Sequence, residues 1–241
     1  MAKPIILFDG GYLFFYRYHA TMKHLKLKLE ESPTPEQIKI AYLDHLDKQL
    51  AKTKKKFKSE KLYFCMDISL KNIWRTELYP EYKGTRENNP KIMNDIPDIR
   101  NEINEILDKY CVKLTHPKME ADDVIYMCVK LIDKSIPIII ISNDNDYLQL
   151  KKNPNVSIMT GGLKEIKGTG DPIKDLWTKI LMGDKSDNIN KLLTKSKAMK
   201  KIELGEKALL EEYGDTLNYK LICMDMIPQK LQNEFTKMYK L

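Results

Sequence analysis

Two stretches of the sequence decide the fold, Lys118-Met-Glu-Ala-Asp-Asp-Val-Ile125 and Ile138-Ile-Ile-Ile-Ser-Asn-Asp-Asn-Asp146. The first places three carboxylates at the start of a predicted helix, and the second leads an apolar strand directly into two more. Carboxylates that converge repel one another unless they are protonated or share a cation. Hard divalent cations prefer carboxylate oxygens, so the pattern predicts a site for Mg²⁺ or Mn²⁺. The acids are Glu120, Asp122, Asp123, Asp144 and Asp146.

The composition describes a chain that can bury a core and that carries surplus positive charge. Its 241 residues include 41 Lys and Arg against 34 Asp and Glu, a net charge of +7. This charge suits a polyanionic partner, nucleic acid first, and is equally compatible with a surface of solvated lysines. The four cysteines lack metal-binding spacing, and three lie in apolar surroundings, which predicts reduced thiols in an intracellular, soluble protein. Neither a signal peptide nor an apolar run of ~18 residues for a membrane span is predicted.

Short apolar runs alternate with helical patterns along the chain. The runs at 4–9, 61–67, 110–114, 136–142 and 156–160 are typical of strands that are buried on both faces. In the first long helix, Thr34 and Gln37 form a predicted capping box around Pro35, and apolar residues then recur every four positions. The alternation predicts an α/β fold with a mainly parallel central sheet flanked by helices.

The domain organisation follows from where this alternation stops. Residues 1–189 contain all the strand signals and are predicted to form one α/β domain. Within it, 71–100 interleaves aromatic and basic residues and should be an exposed loop or arch. Residues 190–241 show short helical patterns and lysine clusters, which predicts a small helical subdomain.

The acidic residues fall at one end of the predicted strands. Parallel sheets bind ligands outside the carboxyl ends of their strands, and Asp9 and Asp67 each follow an apolar run there. Together with the acids above and with Asp184 and Asp187, nine carboxylates can meet at one edge of the sheet. In a basic protein such a site would hold two or more divalent ions that bind a phosphodiester and activate a water. Lysine and arginine side chains around the site would hold the nucleic-acid backbone.

Six motifs in register resemble the 5′-nucleases: flap endonucleases, phage 5′–3′ exonucleases and the 5′-nuclease domain of bacterial DNA polymerase I. The resemblance spans about residues 5–189 and implies a PIN-like α/β domain with a helical arch. The motifs are Leu7-Phe-Asp9-Gly, Met66-Asp67, Tyr79-Pro-Glu-Tyr-Lys-Gly-Thr-Arg86, Glu120-Ala-Asp-Asp123, Ser142-Asn-Asp-Asn-Asp146 and Met182-Gly-Asp-Lys-Ser-Asp-Asn-Ile189.

The resemblance implies two sets of metal ligands. The set around the first ion comprises Asp9, Asp67, Glu120, Asp122 and Asp123. The set around the second ion comprises Asp144, Asp146, Asp184 and Asp187. Some of these acids would bind the ion through water molecules.

The resemblance also implies residues that contact the nucleic acid. Lys83 and Arg86 would contact the scissile phosphate and, with Asp67 and Asp122, are the predicted catalytic residues. Tyr82 would stack on a terminal base and Arg75 would contact a phosphate, although ordinary packing is the alternative for these last two.

One segment departs from the family pattern. After the last motif the family has a glycine-rich hairpin that grips duplex backbone and can hold K⁺, whereas residues 190–198 contain neither glycine nor proline. Backbone amides approach phosphates less freely without glycine, so K⁺ binding and this mode of anchoring are in doubt. The side chains of Lys191, Lys195 and Lys197 would supply the positive charge instead.

The expected function is that of a monomeric, metal-dependent, structure-specific 5′-nuclease. As a flap endonuclease and 5′–3′ exonuclease, it would act on DNA with 5′ ends, flaps or RNA primers during replication and repair. One alternative is a PIN-type ribonuclease on single-stranded RNA. Another is a catalytically silent protein that binds branched DNA, against which the full set of nine acids argues.

Overall fold

A sheet of five parallel strands lies at the centre of the molecule, in the order β3-β2-β1-β4-β5. The structure is a computed structural model that describes residues 2–67, 72–85 and 99–241. The predicted α/β class and parallel sheet are confirmed. The strands are β1 (Ile5–Asp9), β2 (Lys61–Cys65), β3 (Val112–Leu114), β4 (Ile138–Ile141) and β5 (Val156–Met159).

The register of the strands brings their carboxyl ends to one edge. Ile5 pairs with Lys61 on one side and with Ile138 on the other, so β1, β2 and β4 start level. Asp9 is level with Cys65 at the far end. The residues that follow β1, β2 and β4 therefore leave the sheet at the same edge, where the predicted site lies.

Helices cover both faces of the sheet because successive side chains of a strand point to opposite faces. Ile6 and Phe8 of β1 are fully buried against one set of helices, and Leu7 is fully buried on the other face. The first face carries α1 (Gly10–Lys28), α2 (Pro35–Phe57) and α4 (Arg100–Tyr110). The second carries α5 (Ala121–Leu131) and the last helix, α10 (Gln229–Met238).

The helix boundaries agree with the local sequence signals. The N-cap of α2 is Thr34, with Pro35 at its first position and the reciprocal bonds to Gln37 in place. None of the helices in the described ranges combines the length and apolar character of a membrane span.

A third apolar cluster joins the remaining helices: α6 (Pro172–Met182), α7 (Lys195–Ile202), α8 (Glu206–Tyr213) and α9 (Leu217–Ile222). Trp177 and Leu181 of α6 are fully buried in it, together with Leu209 and Leu221. The cluster thus includes residues on both sides of the predicted boundary at 189, while α10 packs against α5 on the second face of the sheet. The region after 190 contains helices, as predicted, and its independence as a subdomain stays a prediction.

The predicted arch is described only in part. Helix α3 (Trp74–Leu78) and the turn that follows it, up to residue 85, pack beside the site, with Trp74 and Arg75 buried. Arg86 lies outside the described residues, and so does most of the segment predicted to form the arch.

Candidate metal centre

The predicted acids converge on one pocket of about 1100 Å³ at the carboxyl edge of the sheet. Asp123 and Asp187 do not line it, and both are buried beside it. The convergence expected from the sequence is therefore present for most of the set. The seven that line the pocket are Asp9, Asp67, Glu120, Asp122, Asp144, Asp146 and Asp184.

Asp9 ends β1 and is the N-cap of α1. Its Oδ1 accepts a hydrogen bond from the Tyr12 amide at 3.0 Å, and its Oδ2 accepts from the hydroxyls of Ser142 at 2.9 Å and Tyr147 at 3.1 Å. Burial raises the pKa of Asp9 to about 6 in spite of these bonds. These bonds hold the carboxylate in place where its negative charge is costly. A carboxylate that binds a cation would be placed in this way.

Asp67 follows β2 and approaches Asp9 across Gly11. A Cβ on Gly11 would lie 3.6 Å from Asp67 Oδ2 and 3.7 Å from Asp9 Oδ1. Asp67 Oδ1 also accepts a hydrogen bond of 2.7 Å from the amide of Ala121, the first residue of α5. This bond ties the loop after β2 to the helix that carries the central acids.

We define the first cluster as Glu120, Asp122 and Asp123, which have one carboxylate oxygen each within 4.8 Å of the others. Glu120 is the N-cap of α5 and forms a capping box with Asp123, whose Oδ2 accepts from the Glu120 amide at 3.1 Å. Local helix capping therefore gathers these acids. Burial raises the pKa of Glu120 to about 7.

Arg75 is the buried cation of the first cluster. Its Nη1 donates to Glu120 Oε2 at 2.9 Å and to Asp123 Oδ2 at 2.8 Å, and lies 3.8 Å from Asp122 Oδ1. Its Nε donates to the carbonyl of Leu221 in α9 at 2.9 Å. The side chain is only 2% exposed. The structure therefore favours the packing alternative for Arg75 over the predicted contact with a phosphate.

Asp123 lies beside the pocket without lining it. It is fully buried, and its Oδ2 also accepts a hydrogen bond of 2.9 Å from the indole of Trp74. Because that oxygen already binds Arg75, Trp74 and a backbone amide, Asp123 holds the cluster together. Its predicted contact with a metal ion stays a prediction.

Tyr82 connects the two sets of acids. Its hydroxyl lies 3.1 Å from Glu120 Oε2 and 3.0 Å from Asp187 Oδ2. The residue is 6% exposed, which leaves no open ring face for the predicted stacking on a base. The structure therefore favours the packing alternative for this residue.

Lys83 lines the pocket, as expected for a phosphate contact. Its ammonium donates to Glu120 Oε1, and its amide donates to the Asp187 carbonyl at 3.0 Å. The backbone is left-handed at this residue, with φ of 56°. The turn therefore aims the ammonium into the acidic site.

We define the second cluster as Asp146, Asp184 and Asp187, which also have one oxygen each within 4.8 Å of the others. Asp146 follows β4 in a 3₁₀ helix capped by Asp144, whose Oδ1 accepts from the Asp146 amide at 2.9 Å. Asp184 caps the short turn after α6. Two distant parts of the chain thus form this cluster.

Sequence reasoning missed Lys179, the cation of the second cluster. Its ammonium donates to Asp146 Oδ1 and lies 2.8 Å from Asp184 Oδ2. Burial raises the pKa of Asp146 to about 7, whereas hydrogen bonds from Lys179 and Ser186 outweigh burial and lower the pKa of Asp184 to about 2. The position of Lys179 one turn before Gly183-Asp184 is the only sequence signal that could have indicated it.

The lysines predicted to bind duplex lie around the start of α7. Lys191, Lys195 and Lys197 are all exposed, while the nearby Lys201 pairs with Glu212 at 2.6 Å. The three are therefore accessible to a polyanion, although no described contact assigns them that role.

A parallel α/β sheet with a carboxylate-lined pocket at its carboxyl edge is typical of a domain that binds hard divalent cations. The family model described as the 5′-3′ exonuclease, N-terminal resolvase-like domain matches residues 4–177. The chain therefore belongs to the 5′-3′ exonuclease family, as its motifs had indicated.

Curated relatives agree with this assignment. The chain is 30% identical to Ribonuclease H of Enterobacteria phage T4, over 71% of this chain and 61% of that protein. It is 31% identical to a 5′-3′ exonuclease of Buchnera aphidicola, over 78% of this chain and 65% of the relative, so it spans less than two thirds of either. A 5′-3′ exonuclease of Bacillus subtilis is 27% identical over 96% of this chain and 77% of its own length.

Solved structures show the same fold. A bacteriophage T5 flap endonuclease in complex with DNA and metal ions superposes with a TM-score of 0.70 at 19% identity, covering 98% of this chain and 97% of that one. The T5 5′-exonuclease with bound zinc gives a TM-score of 0.67 at 19% identity over the same shares. The likeness extends through the helices after 190.

Proposed function

We propose that this protein is a metal-dependent, structure-specific 5′-nuclease, with flap endonuclease and 5′–3′ exonuclease activity on DNA or RNA–DNA intermediates of replication and repair. The observation that carries the proposal is the convergence of seven of the nine predicted carboxylates on one pocket of a chain with net charge +7. Crowded carboxylates repel one another unless protons or cations compensate their charge. Family membership makes phosphodiester hydrolysis the natural use of such cations.

The donor set fits hard divalent ions. Carboxylates dominate the polar lining of the pocket, and no His or Cys is among the described residues that line it. Oxygen donors of this kind favour Mg²⁺ or Mn²⁺ over softer metals. Asp9, Asp67, Glu120 and Asp122 would hold one ion, while Asp144, Asp146 and Asp184 would hold another.

Two or more such ions would supply positive charge at the phosphodiester and lower the pKa of an attacking water. The chain's own residues would position the substrate. Lys83 would hold the scissile phosphate from inside the pocket, with Arg86 as its proposed partner. The raised pKa values of Asp9, Glu120 and Asp146 indicate that these carboxylates gain most when a cation compensates their charge.

DNA with 5′ ends, flaps or RNA primers is the proposed partner. The T5 flap endonuclease was solved with DNA, and the T4 relative is named a ribonuclease. The exposed Lys191, Lys195 and Lys197 would contact duplex phosphates through side chains, and K⁺ is not required by this mode. All four cysteines are free and buried, which suits the intracellular site of such substrates.

A cleavage panel tests the proposal. Purified protein with Mg²⁺ should cut a 5′-flap substrate, and EDTA should stop the reaction. Nicked duplex, blunt duplex, RNA–DNA hybrid and single-stranded RNA measure its preference. Cleavage of single-stranded RNA alone would support the ribonuclease alternative, and binding without cleavage in Mg²⁺ or Mn²⁺ would support a silent binding protein.

The Asp122→Asn variant tests the role of one acid, because it keeps the size and shape of the side chain and removes its charge. We expect cleavage to fall by about a thousandfold or more, with substrate binding largely intact. An Asp122→Asn protein that cuts at the wild-type rate would show that this acid has been assigned wrongly.

Duplex anchoring can be tested by its salt dependence. Replacing Lys191, Lys195 and Lys197 together by Ser should weaken flap binding and reduce the slope of log affinity against log salt by about one for each phosphate that is no longer neutralised. An unchanged slope in fluorescence anisotropy titrations would place the duplex elsewhere on the surface.

A further inference from the structure

Lys179 lies in the space that a cation in the second cluster would use. Its ammonium donates to Asp146 Oδ1 and lies 2.8 Å from Asp184 Oδ2, and both acids belong to the group that could hold a metal ion. An ammonium and a divalent ion at this separation repel each other strongly. They cannot share these oxygens without a movement of the side chain.

The side chain of Lys179 has room to make that movement. It is 21% exposed and lines the pocket, whereas Arg75 in the first cluster is 2% exposed and binds protein on two sides. Lysine also carries its charge on a flexible stem, unlike the rigid fork of arginine. The ammonium can therefore leave the acids and remain in the pocket.

We propose that Lys179 is a displaceable counterion. Its ammonium neutralises the second cluster in the metal-free protein and moves away from Asp146 and Asp184 when a divalent ion binds there. This inference rests on the proposed function only in taking the second cluster as a cation site. The released ammonium would face the pocket space where a phosphate would lie. Because such coupling is reciprocal, a polyanion that binds Lys179 would strengthen cation binding at the second cluster.

The test counts bound Mn²⁺ by electron paramagnetic resonance, without substrate or turnover. We expect wild-type protein to bind a tighter and a weaker ion. Lys179→Met should strengthen the weaker binding by at least about tenfold, because the competing charge is gone. Lys179→Arg, which keeps the charge, should leave it within about twofold of wild type.

Lys174→Met is the matched control. Lys174 lies on the same helix, does not line the pocket and makes no ion pair with the residues that the structure describes. This variant should bind Mn²⁺ as wild type does. Circular dichroism melts report folding, and Lys179→Gln replaces Lys179→Met if the latter unfolds.

The wild-type protein provides a test that needs no substitution. Nuclear magnetic resonance of lysine ammonium groups should show the Lys179 signal shifting on addition of Mg²⁺, while that of Lys174 stays in place. Unchanged Mn²⁺ affinity in Lys179→Met, or a Lys179 signal that ignores Mg²⁺, would overturn the inference.

The outcomes separate this inference from the nuclease proposal. Tighter Mn²⁺ binding in Lys179→Met with no cleavage of any substrate by wild type would keep the displaceable counterion and reject the nuclease. Cleavage by wild type with unchanged Mn²⁺ binding in Lys179→Met would do the reverse.

Discussion

The two acidic clusters solve the same electrostatic problem with different cations. In the first, Arg75 is buried behind Glu120 and Asp123 and is bonded to a backbone carbonyl of α9, while Lys83 contacts Glu120 from the pocket side. In the second, Lys179 reaches Asp146 and Asp184 from the pocket side. A cation behind the acids supports a site permanently, whereas one in front of them must move before a metal ion can bind.

This difference assigns the clusters different tasks. Capping bonds and Arg75 orient the first cluster before any ligand arrives, so Arg75 is a fixed support behind its acids. Asp146 and Asp184 of the second cluster come from separate loops, and their bound cation can leave. Tyr82 bridges the two through Glu120 and Asp187, so the position of one cluster depends on the other.

The largest expected effect comes from removing the fixed cation. Arg75→Met should lower the free energy of unfolding by about 3–5 kcal/mol, because it leaves buried carboxylates without their partner. Lys179→Met should cost about 1–2 kcal/mol, since its acids are nearer water and can take up protons. Urea denaturation measures both values.

Addition of Mg²⁺ sharpens this contrast. It should restore stability to Lys179→Met, where an ion takes the place of the ammonium, and should not restore Arg75→Met, whose missing charge lies behind the pocket. If both variants lost the same free energy of unfolding and recovered it equally in Mg²⁺, the distinction between the clusters would be wrong.

The bridge between the clusters gives a smaller effect. Tyr82→Phe removes one hydroxyl that contacts both Glu120 and Asp187, and should destabilise the protein by about 1–2 kcal/mol. Tyr79→Phe is its control, because the Tyr79 hydroxyl contacts only the exposed Glu81, at 3.1 Å. The control should stay within about 0.5 kcal/mol of wild type in the same denaturation assay. If Tyr82→Phe left the free energy of unfolding unchanged, the hydroxyl would not couple the two clusters.

The smallest expected effect is a pH dependence of the response to Mg²⁺. In the folded protein burial raises the pKa of Asp9 to about 6 and those of Glu120 and Asp146 to about 7, above their ordinary values of 3.8 and 4.5. The metal-free folded state therefore holds protons that the unfolded chain has lost. The contribution of these groups to stability is complete only below their ordinary pKa values of 3.8 and 4.5, and it is lost as the pH rises through 6 to 7.

Divalent ions compensate the charges that appear in that window. Mg²⁺ should raise the melting temperature by a few degrees at about pH 8 and by less at about pH 5.5, measured by differential scanning calorimetry. Asp184 acts in the opposite sense, because its pKa is lowered to about 2 in the folded protein. Its ionised carboxylate stabilises the folded state, and this contribution is lost as the pH falls through that value. An equal response to Mg²⁺ at both pH values would show that protons and metal ions do not compete for these acids.

The position of the acids could be predicted from sequence because it follows from local rules. Asp9 and Asp67 end or follow apolar runs, and parallel strands bring such positions to one edge. Glu120 and Asp123 are held by helix capping, which has a three-residue signature.

The counterions could not be predicted in this way. Arg75 stands among aromatic and basic residues that resemble a solvent-exposed segment, and only the packing of α3 against α5 and α9 buries it. Lys179 is one of many lysines, and its partners are set by the contact of α6 with the turn after β4. The same applies to Tyr82, whose hydroxyl meets acids 38 and 105 residues away in the chain.

Crystals of the protein soaked in Mn²⁺ provide the most direct test, because anomalous scattering locates the ions without reference to activity. We expect anomalous peaks at both clusters, with Arg75 still bound to Glu120 and Asp123 and with Lys179 turned away from Asp146 and Asp184. Mn²⁺ peaks outside the pocket, or an ion in the second cluster with Lys179 still bound to both acids, would contradict the account.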